Sequence, residues 1–409
     1  MTATLTPALT TIAPLRIGVL GLGRAFTLML PTFLHDPRVK LVAAADPLPA
    51  ARTQFQADFH ALAFESVDAV CTRLDVQAVY VATPHQFHAD HVCLAAAHSK
   101  HVLVEKPMAL SIEECTRMIE ACKNAGVHLL VGHSHSFNLP IRRTREIIDN
   151  GLYGAVRMIH AMNYTDFLYR PRRPEELDTQ AGGGVIHSQA AHQIDIVRLL
   201  GGGRVASVRA HTGNWDASRN TEGAYSALLA FEGGAFASAT YSGYGHFDSD
   251  RLLGDIGEMG QAKSPAEHGA ARRRLLQVAS AAQEAALKTA RNYGGALHTP
   301  ATALPATAGF SLAHQHFGHL VVSCERADLR PGPLGIAIDT DGQQLFEALP
   351  APKIPRAEVI DELIAAVVHN IAPVHSGPWA RATTEVCLAI LASARNNTEC
   401  FMQHQVSSR

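Results

Sequence analysis

The feature that most constrains this chain is a glycine-rich turn between a short apolar run and a helical pattern. Gly18, Gly21 and Gly23 lie within residues 16–24, where the first predicted strand passes into the first predicted helix. Glycines there permit a tight turn and let a diphosphate approach the backbone at the positive end of the helix. Asp46 ends the second predicted strand, where an acid binds the ribose hydroxyls of an adenine dinucleotide.

The glycine motif is incomplete, because Phe26 stands where G-x-G-x-x-G has its third glycine. The alternative is an ordinary glycine turn followed by an aspartate that caps a helix. An acid at position 46 repels a 2′-phosphate, and no arginine follows it immediately, so the pattern favours NAD over NADP. We expect NAD to contact Gly21, Leu22, Gly23, Arg24, Ala25 and Asp46.

The first third of the chain alternates short apolar runs with longer helical patterns. Buried parallel strands are predicted at Arg16–Leu20, Lys40–Ala45, Ala78–Ala82, His101–Val104 and His128–Val131. Helices are predicted at Arg24–Leu34, Pro49–Phe59, Gln86–His98 and Ser111–Ala125. Such units predict an α/β fold, in which a short tail (1–14) precedes a Rossmann domain (15–137) with a doubly wound parallel sheet.

After Asn138 the pattern changes to strands, several of them joined by glycine turns. It predicts an α+β domain over 138–409 with a large, mostly antiparallel open sheet. Strands are predicted at Arg157–Tyr164, Val205–Thr212, Ala224–Phe231, Ala235–Tyr241, His319–Cys324, Leu334–Asp339 and Gln344–Ala348, and helices at Pro140–Asn150, Ala190–Leu200, Arg356–His369 and Ala380–Asn396. The alanine-rich segment Lys263–Asn292 is helical by pattern, and we interpret residues 261–310 as a surface insertion or lid.

Two polar clusters each follow a predicted strand of the first domain. The carboxyl ends of parallel strands line the ligand crevice, so we expect the cofactor to contact Thr83, Pro84, His85, His88, Glu105 and Lys106. A lysine on that rim, partly desolvated beside a cationic nicotinamide, would have a lowered pKa and could act as a general base. The alternative is a solvated lysine in a turn.

At these residues the chain resembles the glucose–fructose oxidoreductase/inositol dehydrogenase/MocA family of NAD(P)-dependent dehydrogenases. The resemblance rests on Gly21-x-Gly23, Asp46, Thr83-Pro84, His88 and Glu105-Lys106-Pro107. The run Gly182–Gly184, followed by His192 and Asp195, is similar to the family's glycine run and its D-x-G-x-H-x-x-D stretch. The resemblance implies that Lys106 and His192 carry the chemistry and that the open sheet forms homo-oligomer contacts, in a dimer or tetramer.

The chain departs from the family pattern at several site positions. Ser188 replaces the usual aspartate of D-x-G-x-H, Ala190 replaces its glycine, and His85 replaces the asparagine common after Thr-Pro. His135 and Ser136 stand where the family usually has arginines. A missing aspartate means one fewer carboxylate near the substrate, which favours an anionic substrate over an ordinary sugar.

A basic and aromatic loop precedes the catalytic stretch. Prolines hold Arg170, Arg172 and Arg173 in an extended segment, with Tyr164, Phe167 and Tyr169 nearby. Guanidinium groups bind carboxylates through two hydrogen bonds, and aromatic faces suit a flat ring. The alternative is a solvated basic loop or a subunit contact. Within the family, this loop, His187-Ser188-Gln189 and Gly213–Asp216 are similar to dehydrogenases of phthalate 4,5-cis-dihydrodiol, a cyclohexadiene diol with two adjacent carboxylates.

We therefore predict a dehydrogenase that uses NAD to oxidise cis-4,5-dihydroxy-4,5-dihydrophthalate to 4,5-dihydroxyphthalate, a step in aromatic degradation. Lys106 would remove the hydroxyl proton, assisted by His192. The substrate-binding residues would be Arg170, Arg172, Arg173, His187, Ser188 and Tyr164. Two alternatives stay open: an inositol or sugar-type polyol dehydrogenase of the same family, and a non-catalytic nucleotide-binding sensor. The presence of both Lys106 and His192 counts against the sensor.

Composition excludes other classes of protein. The 23 histidines first suggest a metal protein, but H-E-x-x-H is absent and the histidine clusters lack cysteines or acids at ligand spacing, so we predict no metal. A net charge of −2 argues against a non-specific nucleic-acid binder, and the longest apolar runs are strand-sized, which predicts no membrane span. Seven scattered cysteines without C-x-x-C fit reduced thiols in a cytoplasmic protein.

Overall fold

The computed structural model describes residues 13–298 and 313–408. Most of the predicted tail (1–14) and residues 299–310 of the predicted insertion lie outside the described residues. Where the chain is described, no helix is both long and apolar enough to cross a membrane. None of the seven cysteines, all of which are described, forms a disulfide.

The first sheet forms from short runs of Val, Leu and Ala that are buried on both faces. Its strands are β1 Leu15–Leu20, β2 Val39–Ala45, β3 Leu62–Phe64, β4 Ala78–Val81, β5 His101–Val104 and β6 Leu129–Val131. They are all parallel, in the order β3-β2-β1-β4-β5-β6. The intervening helices are α1 Arg24–His35, α2 Pro49–Phe59, α3 Asp68–Cys71, α4 His88–Ala97 and α5 Ile112–Ala125. This doubly wound sheet confirms the predicted Rossmann domain.

Sequence analysis missed two elements of this domain, β3 and α3. They are three and four residues long, too short to show a hydrophobic period. The helix predicted at Gln86–His98 is a 3₁₀ turn, His85–Phe87, followed by α4. The capping interaction predicted for α5 is present, because Ser111 Oγ accepts a hydrogen bond from Glu114 N at 3.1 Å.

The second domain is built on a nine-stranded, mostly antiparallel sheet, as predicted. After α6 Leu139–Asp149, its strands are β7 Val156–Tyr164, β8 Val205–Gly213, β9 Ala224–Phe231, β10 Phe236–Ser242, β11 His319–Cys324, β12 Asp328–Gly332, β13 Gly335–Asp339, β14 Gln344–Ala348 and β15 Cys400–Phe401. The order is β14-β13-β12-β11-β7-β10-β9-β8-β15, and only β7 and β10 pair in parallel. Sequence analysis missed β12, which contains Pro331 and Gly332, and the two-residue β15.

Helices cover one face of this sheet. They are α6, α7 Ala191–Gly201 and α11 Gly377–Asn396. The segment after β10 forms α8 Ala270–Leu275 and α9 Ala281–Thr289, and α10 Ala357–Val367 follows β14. On the other face, Met158, Leu228 and Phe236 lie on adjacent strands and are exposed. The predicted homo-oligomer stays a prediction. In place of the one long helix predicted at Lys263–Asn292, the structure has two shorter helices, α8 and α9.

Helix α10 completes the core of the first domain, although sequence analysis placed it in the second. Val359, Ile360 and Leu363 are buried in the same apolar cluster as Phe26 and Tyr80. The hydrophobic face of α10 is thus the cover for one side of the parallel sheet. The predicted division at residue 137 assigns all of residues 138–409 to the second domain, whereas α10 packs against the first.

A buried polar network joins α7 to α11. The carboxylate of Asp195 accepts hydrogen bonds from Trp379 Nε1 at 2.7 Å, from Thr383 Oγ1 at 2.8 Å and from Ser136 Oγ. The fully buried Arg198 donates to Thr383 Oγ1 at 2.7 Å, and its guanidinium lies 4.0 Å from the Trp379 ring centre. Because His192 is one turn before Asp195, this network also fixes the helix that carries the predicted catalytic histidine.

The network predicts a large loss of stability in Arg198→Ala. The substitution leaves a cavity and removes partners from buried polar groups, so we expect the free energy of unfolding to fall by about 3 kcal/mol in urea titrations. The control is Arg204→Ala, because Arg204 forms an exposed ion pair with Glu232 at 3.4 Å and should change stability by less than about 1 kcal/mol. Equal effects of the two substitutions would contradict this role.

Candidate active site

The glycine turn leaves room for a diphosphate at the start of α1. Gly21 has φ +90°, and a Cβ at this position would lie 2.8 Å from the Ala82 carbonyl oxygen, so the turn requires glycine. Gly23, the N-cap of α1, has open space where a Cβ would stand, and no side chain caps the helix. The free N–H groups of the first turn can therefore meet an anion, as the diphosphate of NAD requires.

Asp46 lies at the carboxyl end of β2, as predicted. Its Oδ2 accepts a hydrogen bond from Leu22 N at 2.7 Å, and its Oδ1 accepts one from Leu48 N at 2.8 Å. The carboxylate thus ties the glycine turn to the segment that leads into α2. Phe26, at the position of the missing glycine, is fully buried, and its ring meets Tyr293 edge-on at 4.9 Å.

Positive charge gathers at the same end of the first domain. Burial lowers the pKa of Arg24, and the charges of Arg291, Arg356 and Arg170 lower it further. Cations this close to one another favour an anionic ligand between them. With the open helix end and Asp46, they form a site whose shape and charge fit NAD.

His88 does not line the cofactor crevice in the way the sequence suggested. It is fully buried, with Nε2 2.9 Å from the Thr83 carbonyl oxygen and Nδ1 3.1 Å from that of Pro107. Burial lowers the pKa of His88, and a neutral ring donates to one of these carbonyls, so the imidazole lies between the two rim loops and helps to hold them together. The predicted contact with NAD is corrected to a positioning role, because the sequence pattern locates His88 on the rim but does not determine the direction of its side chain.

The other predicted residues of this rim are held by their own local contacts. His85 is half-buried, and burial followed by the charges of His88 and Lys106 lowers its pKa to about 3. The hydroxyl of Thr83 is hydrogen-bonded to Nδ1 of His91, with a distance of 3.0 Å between the two atoms. Burial raises the pKa of Glu105, whose carboxylate accepts a hydrogen bond from the Tyr80 hydroxyl at 2.5 Å.

The surroundings of Lys106 favour its neutral form, which the predicted role as a general base requires. Its Nζ donates a hydrogen bond to the carbonyl oxygen of Ser188 at 2.7 Å, and no carboxylate of the described chain forms a salt bridge with it. Burial is the main cause that lowers the pKa of Lys106. The charges of Glu105 and Glu258 oppose this effect without cancelling it, and those of Arg356 and Arg172 add to it. A desolvated amine whose hydrogen bond is to a neutral carbonyl can lose its proton more easily than a solvated lysine.

Ser188 and His187 lie in a single π-helical turn, Ile186–Ala190, that precedes α7. π-Helical turns are frequent at functional sites. This turn directs the Ser188 carbonyl toward Lys106, while the Ser188 hydroxyl donates to the Gly184 carbonyl. Ser188 therefore contacts the predicted base through its backbone, and burial lowers the pKa of His187.

His192 lies in an aromatic cluster beside Lys106. Its ring centre is 4.8 Å from that of His135 and 5.1 Å from that of Phe317, and its Nδ1 is buried without a hydrogen-bond partner. Burial, and then the charge of Lys106, lowers the pKa of His192 well below its usual range. A neutral imidazole at this position can orient a hydroxyl group but does not add a positive charge.

Sequence analysis missed Glu258, which restores a carboxylate to the site. Asn138 Nδ2 donates to His135 Nδ1 at 2.9 Å, so the His135 proton is on Nε2, which lies 3.3 Å from Glu258 Oε1. Burial raises the pKa of Glu258, but the bond from His135 and the charge of Arg170 lower it overall, to about 2. Ser188 still leaves the site without the family's usual aspartate, but Glu258 supplies a carboxylate beside His135. No sequence pattern pointed to Glu258, because it is distant in sequence and belongs to no motif.

Arg356 is the second residue that sequence analysis missed. It lies just before α10, is buried, and donates to Gln315 Oε1 at 3.2 Å, while none of the described carboxylates forms a salt bridge with it. Its charge lowers the pKa values of Lys106, His133 and His192. The only sequence signal was its position at the start of a predicted helix, which says nothing about a site.

The three loop arginines have different surroundings. Arg170 pairs with Asp166 at 3.2 Å, and Arg173 pairs with Glu175 at 3.1 Å and is more than a third exposed. Arg172 lies 3.6 Å from the Phe167 ring centre and donates to the Phe167 carbonyl, but its nearest carboxylate, on Glu176, is 3.9 Å away. Its buried Nε has no hydrogen-bond partner, and burial is the main cause that lowers its pKa to about 10.

An open aromatic cleft lies beside this loop. It encloses about 490 Å³, and its lining includes Tyr164, Tyr169, Trp215, Tyr244 and Phe247. The rings of Trp215 and Tyr244 are 4.3 Å apart. The structure thus places Tyr164, a predicted substrate residue, in this cleft, whereas Lys106 and His192 do not line it.

The histidine clusters have hydrogen-bonding roles instead of metal-binding geometry. Over residues 13–298 and 313–408, no group of three His, Cys, Asp or Glu side chains is arranged to hold a metal ion. His314 Nε2 lies 2.9 Å from the Pro350 carbonyl oxygen, and His316 Nε2 lies 2.9 Å from that of Ile256.

Comparison with known proteins agrees with this architecture. The model of an oxidoreductase family with an NAD-binding Rossmann fold matches residues 15–133, and that of the GFO/IDH/MocA C-terminal domain matches residues 141–260. A solved structure of a dehydrogenase from Bordetella bronchiseptica RB50 has a TM-score of 0.88 and 40% identity, over 95% of this chain and 100% of that chain.

Two curated relatives differ in how much of the chain they match. A 1-carboxy-3-chloro-3,4-dihydroxycyclohexa-1,5-diene dehydrogenase from Comamonas testosteroni is 50% identical over 382 residues, which is 93% of this chain and 95% of the relative. An inositol 2-dehydrogenase from Rhizobium meliloti is 28% identical over 195 residues, 48% of this chain and 57% of that protein. The chain belongs to the GFO/IDH/MocA family of NAD-binding oxidoreductases.

Proposed function

We propose that this protein uses NAD to oxidise a cis-dihydrodiol of an aromatic carboxylic acid to the corresponding catechol. The proposal is carried by the presence in one site of two groups: Lys106, a part-buried amine whose hydrogen-bond partner is a neutral carbonyl, and Arg172, whose buried Nε has no hydrogen-bond partner. The first suits removal of a hydroxyl proton, and the second suits binding of a substrate carboxylate. The relative from Comamonas testosteroni, whose name describes a carboxylated cyclohexadiene diol, supports this substrate class.

The number of substrate carboxylates distinguishes two specific candidates. The sequence favoured cis-4,5-dihydroxy-4,5-dihydrophthalate, with two carboxylates, and Arg170 and Arg172 could bind one each. The name of the relative describes a diol with one carboxylate and a chlorine. We retain the phthalate diol as the first candidate and the chlorinated monocarboxylate as the second.

The mechanism assigns the proton and the hydride to different partners. The uncharged Nζ of Lys106 removes the proton of the carbinol hydroxyl, while the Ser188 carbonyl holds Nζ in place. Bound NAD would accept the hydride from the same carbon. His192, neutral and adjacent, orients the hydroxyl. The resulting hydroxydienone tautomerises to the catechol, and the gain of aromaticity makes oxidation favourable.

Glu258 supports a second candidate, a polyol dehydrogenase. An ionised carboxylate in the site can accept hydrogen bonds from the hydroxyls of a sugar or an inositol as readily as from those of a dihydrodiol. The partial match to inositol 2-dehydrogenase agrees with this candidate, although it spans only half of the chain.

Substrate turnover tests the proposal directly. We expect NADH to form when cis-4,5-dihydroxy-4,5-dihydrophthalate is added to the protein with NAD, and the product to have the ultraviolet spectrum of a catechol. The chlorinated monocarboxylate diol and myo-inositol serve as competing substrates. Turnover of inositol alone would replace the proposal with the polyol candidate.

Lys106→Ala should lower kcat about 10²–10⁴-fold while the Kd for NAD stays nearly constant, because only the proton acceptor is lost. Methylamine should restore part of the rate. In the unaltered protein, kcat/KM should rise with pH through an ionisation below the usual lysine pKa of about 10.4, because the deprotonated amine is the active form. Lys123→Ala, at an exposed position of α5, is the control. An unchanged kcat in Lys106→Ala would remove Lys106 from the mechanism.

Arg172→Gln should raise KM for the carboxylated diol about 10- to 100-fold, with a smaller change in kcat, because a charge-assisted hydrogen bond is lost. Arg173→Gln is the matched control, since Arg173 already pairs with Glu175 and Glu176. The methyl ester of the diol should show no such difference between Arg172→Gln and the unaltered protein. Equal effects on acid and ester would show that Arg172 does not bind the carboxylate.

A further inference from the structure

Residues 261–298, which we name the strap, begin just beyond the region that the family models match. The strap lies across both halves of the site. Its main element is α9, a nine-residue helix that is too short to be stable without tertiary contacts. The contacts at each end of this helix therefore determine where the strap lies.

At the substrate side, Glu284 of α9 holds the arginine loop. Its Oε1 accepts a hydrogen bond from the backbone N–H of Arg172 at 2.7 Å. Both carboxylate oxygens also accept from Arg219 Nη1, at 2.9 and 3.0 Å, in an ion pair that is almost completely buried. This carboxylate fixes the backbone at the residue whose guanidinium is proposed to bind the substrate.

Lys288 strengthens the same contact one turn later. It pairs with Glu176, whose other oxygen accepts a hydrogen bond from the backbone N–H of Arg173 at 2.8 Å. Glu284 and Lys288 are four residues apart and therefore lie on the same face of α9. Two consecutive backbone N–H groups of the loop are thus held, directly or through Glu176, by a single helix face.

At the cofactor side, Tyr293 anchors the strap to the first domain. Its hydroxyl donates to Asp58 of α2 at 2.6 Å, and its ring meets Phe26 of α1 at 4.9 Å. A Cβ on the next residue, Gly294, would lie only 2.8 Å from the Cα of Ala51, so the backbones are in close contact. These contacts are made to the two helices that begin at the NAD site.

We propose that Glu284 and Tyr293 are positioning residues through which the strap holds the arginine loop in register with the NAD-binding domain. Binding of NAD and recognition of the substrate carboxylate are then energetically coupled. The substrate part of this inference rests on the proposed function, whereas the connection between NAD and α9 does not. The two parts can therefore be tested separately.

The first experiment uses kinetics. Glu284→Gln keeps the shape of the side chain but weakens its hold on Arg172 and Arg219, so we expect KM for the carboxylated diol to rise about tenfold. The kcat value and the Kd for NAD should change by less than about twofold. Glu267→Gln, an exposed acid of the same strap, is the control. An unchanged KM, or an equal loss of kcat, would overturn the positioning role of Glu284.

The second experiment needs no substrate. Hydrogen exchange of residues 281–289 is measured with and without NAD in the unaltered protein, in Tyr293→Phe and in Tyr293→Ala. We expect NAD to slow exchange of α9 in the unaltered protein, to slow it less in Tyr293→Phe, which keeps the ring, and not at all in Tyr293→Ala. NAD-dependent protection that persists in Tyr293→Ala, or is absent from the unaltered protein, would contradict the coupling.

The two experiments separate the two proposals. If the unaltered protein oxidises none of the carboxylated diols, the proposed function fails, and the exchange measurement still decides whether the strap connects NAD to α9. If turnover occurs but NAD does not protect α9, the function stands and the strap proposal is overturned.

Discussion

A hydrogen bond between the two domains holds Lys106, the residue proposed as the base, beside the start of α7. Lys106 belongs to the loop after β5, and the carbonyl that receives its Nζ belongs to Ser188, in the π-helical turn before α7. Neither domain alone would provide both groups. The position of α7 depends in turn on the buried network of Asp195 and Arg198 with α11. The lysine environment is therefore a product of the packing of the whole molecule.

Burial is the dominant influence on the charges of this site. It lowers the pKa values of Lys106, His135 and His192, so that the amine can lose its proton and the imidazoles stay neutral. Glu258 keeps its negative charge because a hydrogen bond and nearby cations outweigh the cost of burial. The site thus combines an amine with a lowered pKa, the proposed proton acceptor, with fixed charges of both signs, which suits the proposed substrate with its hydroxyls and carboxylate on one ring.

The sequence predicted well what depends on local pattern. The glycine turn, Asp46 and Lys106 were located because ligand sites of parallel sheets lie at the carboxyl ends of strands. Glu258 and Arg356 were missed because each reaches the site from a distant segment without a recognisable motif. His88 shows a different limit: its position was predicted, but only the packing of the rim loops showed that its ring lies between backbone carbonyls of both loops.

The return of α10 to the first domain has a consequence for biosynthesis. Thr32 in α1 donates to the Pro355 carbonyl, and residues 357–367 then cover the apolar face formed by the first strands and helices. A nascent chain emerges from the ribosome with its amino-terminal part first. The nucleotide-binding half therefore remains incomplete, with exposed apolar surface, until most of the polypeptide has been translated, so the two halves of this protein finish folding together.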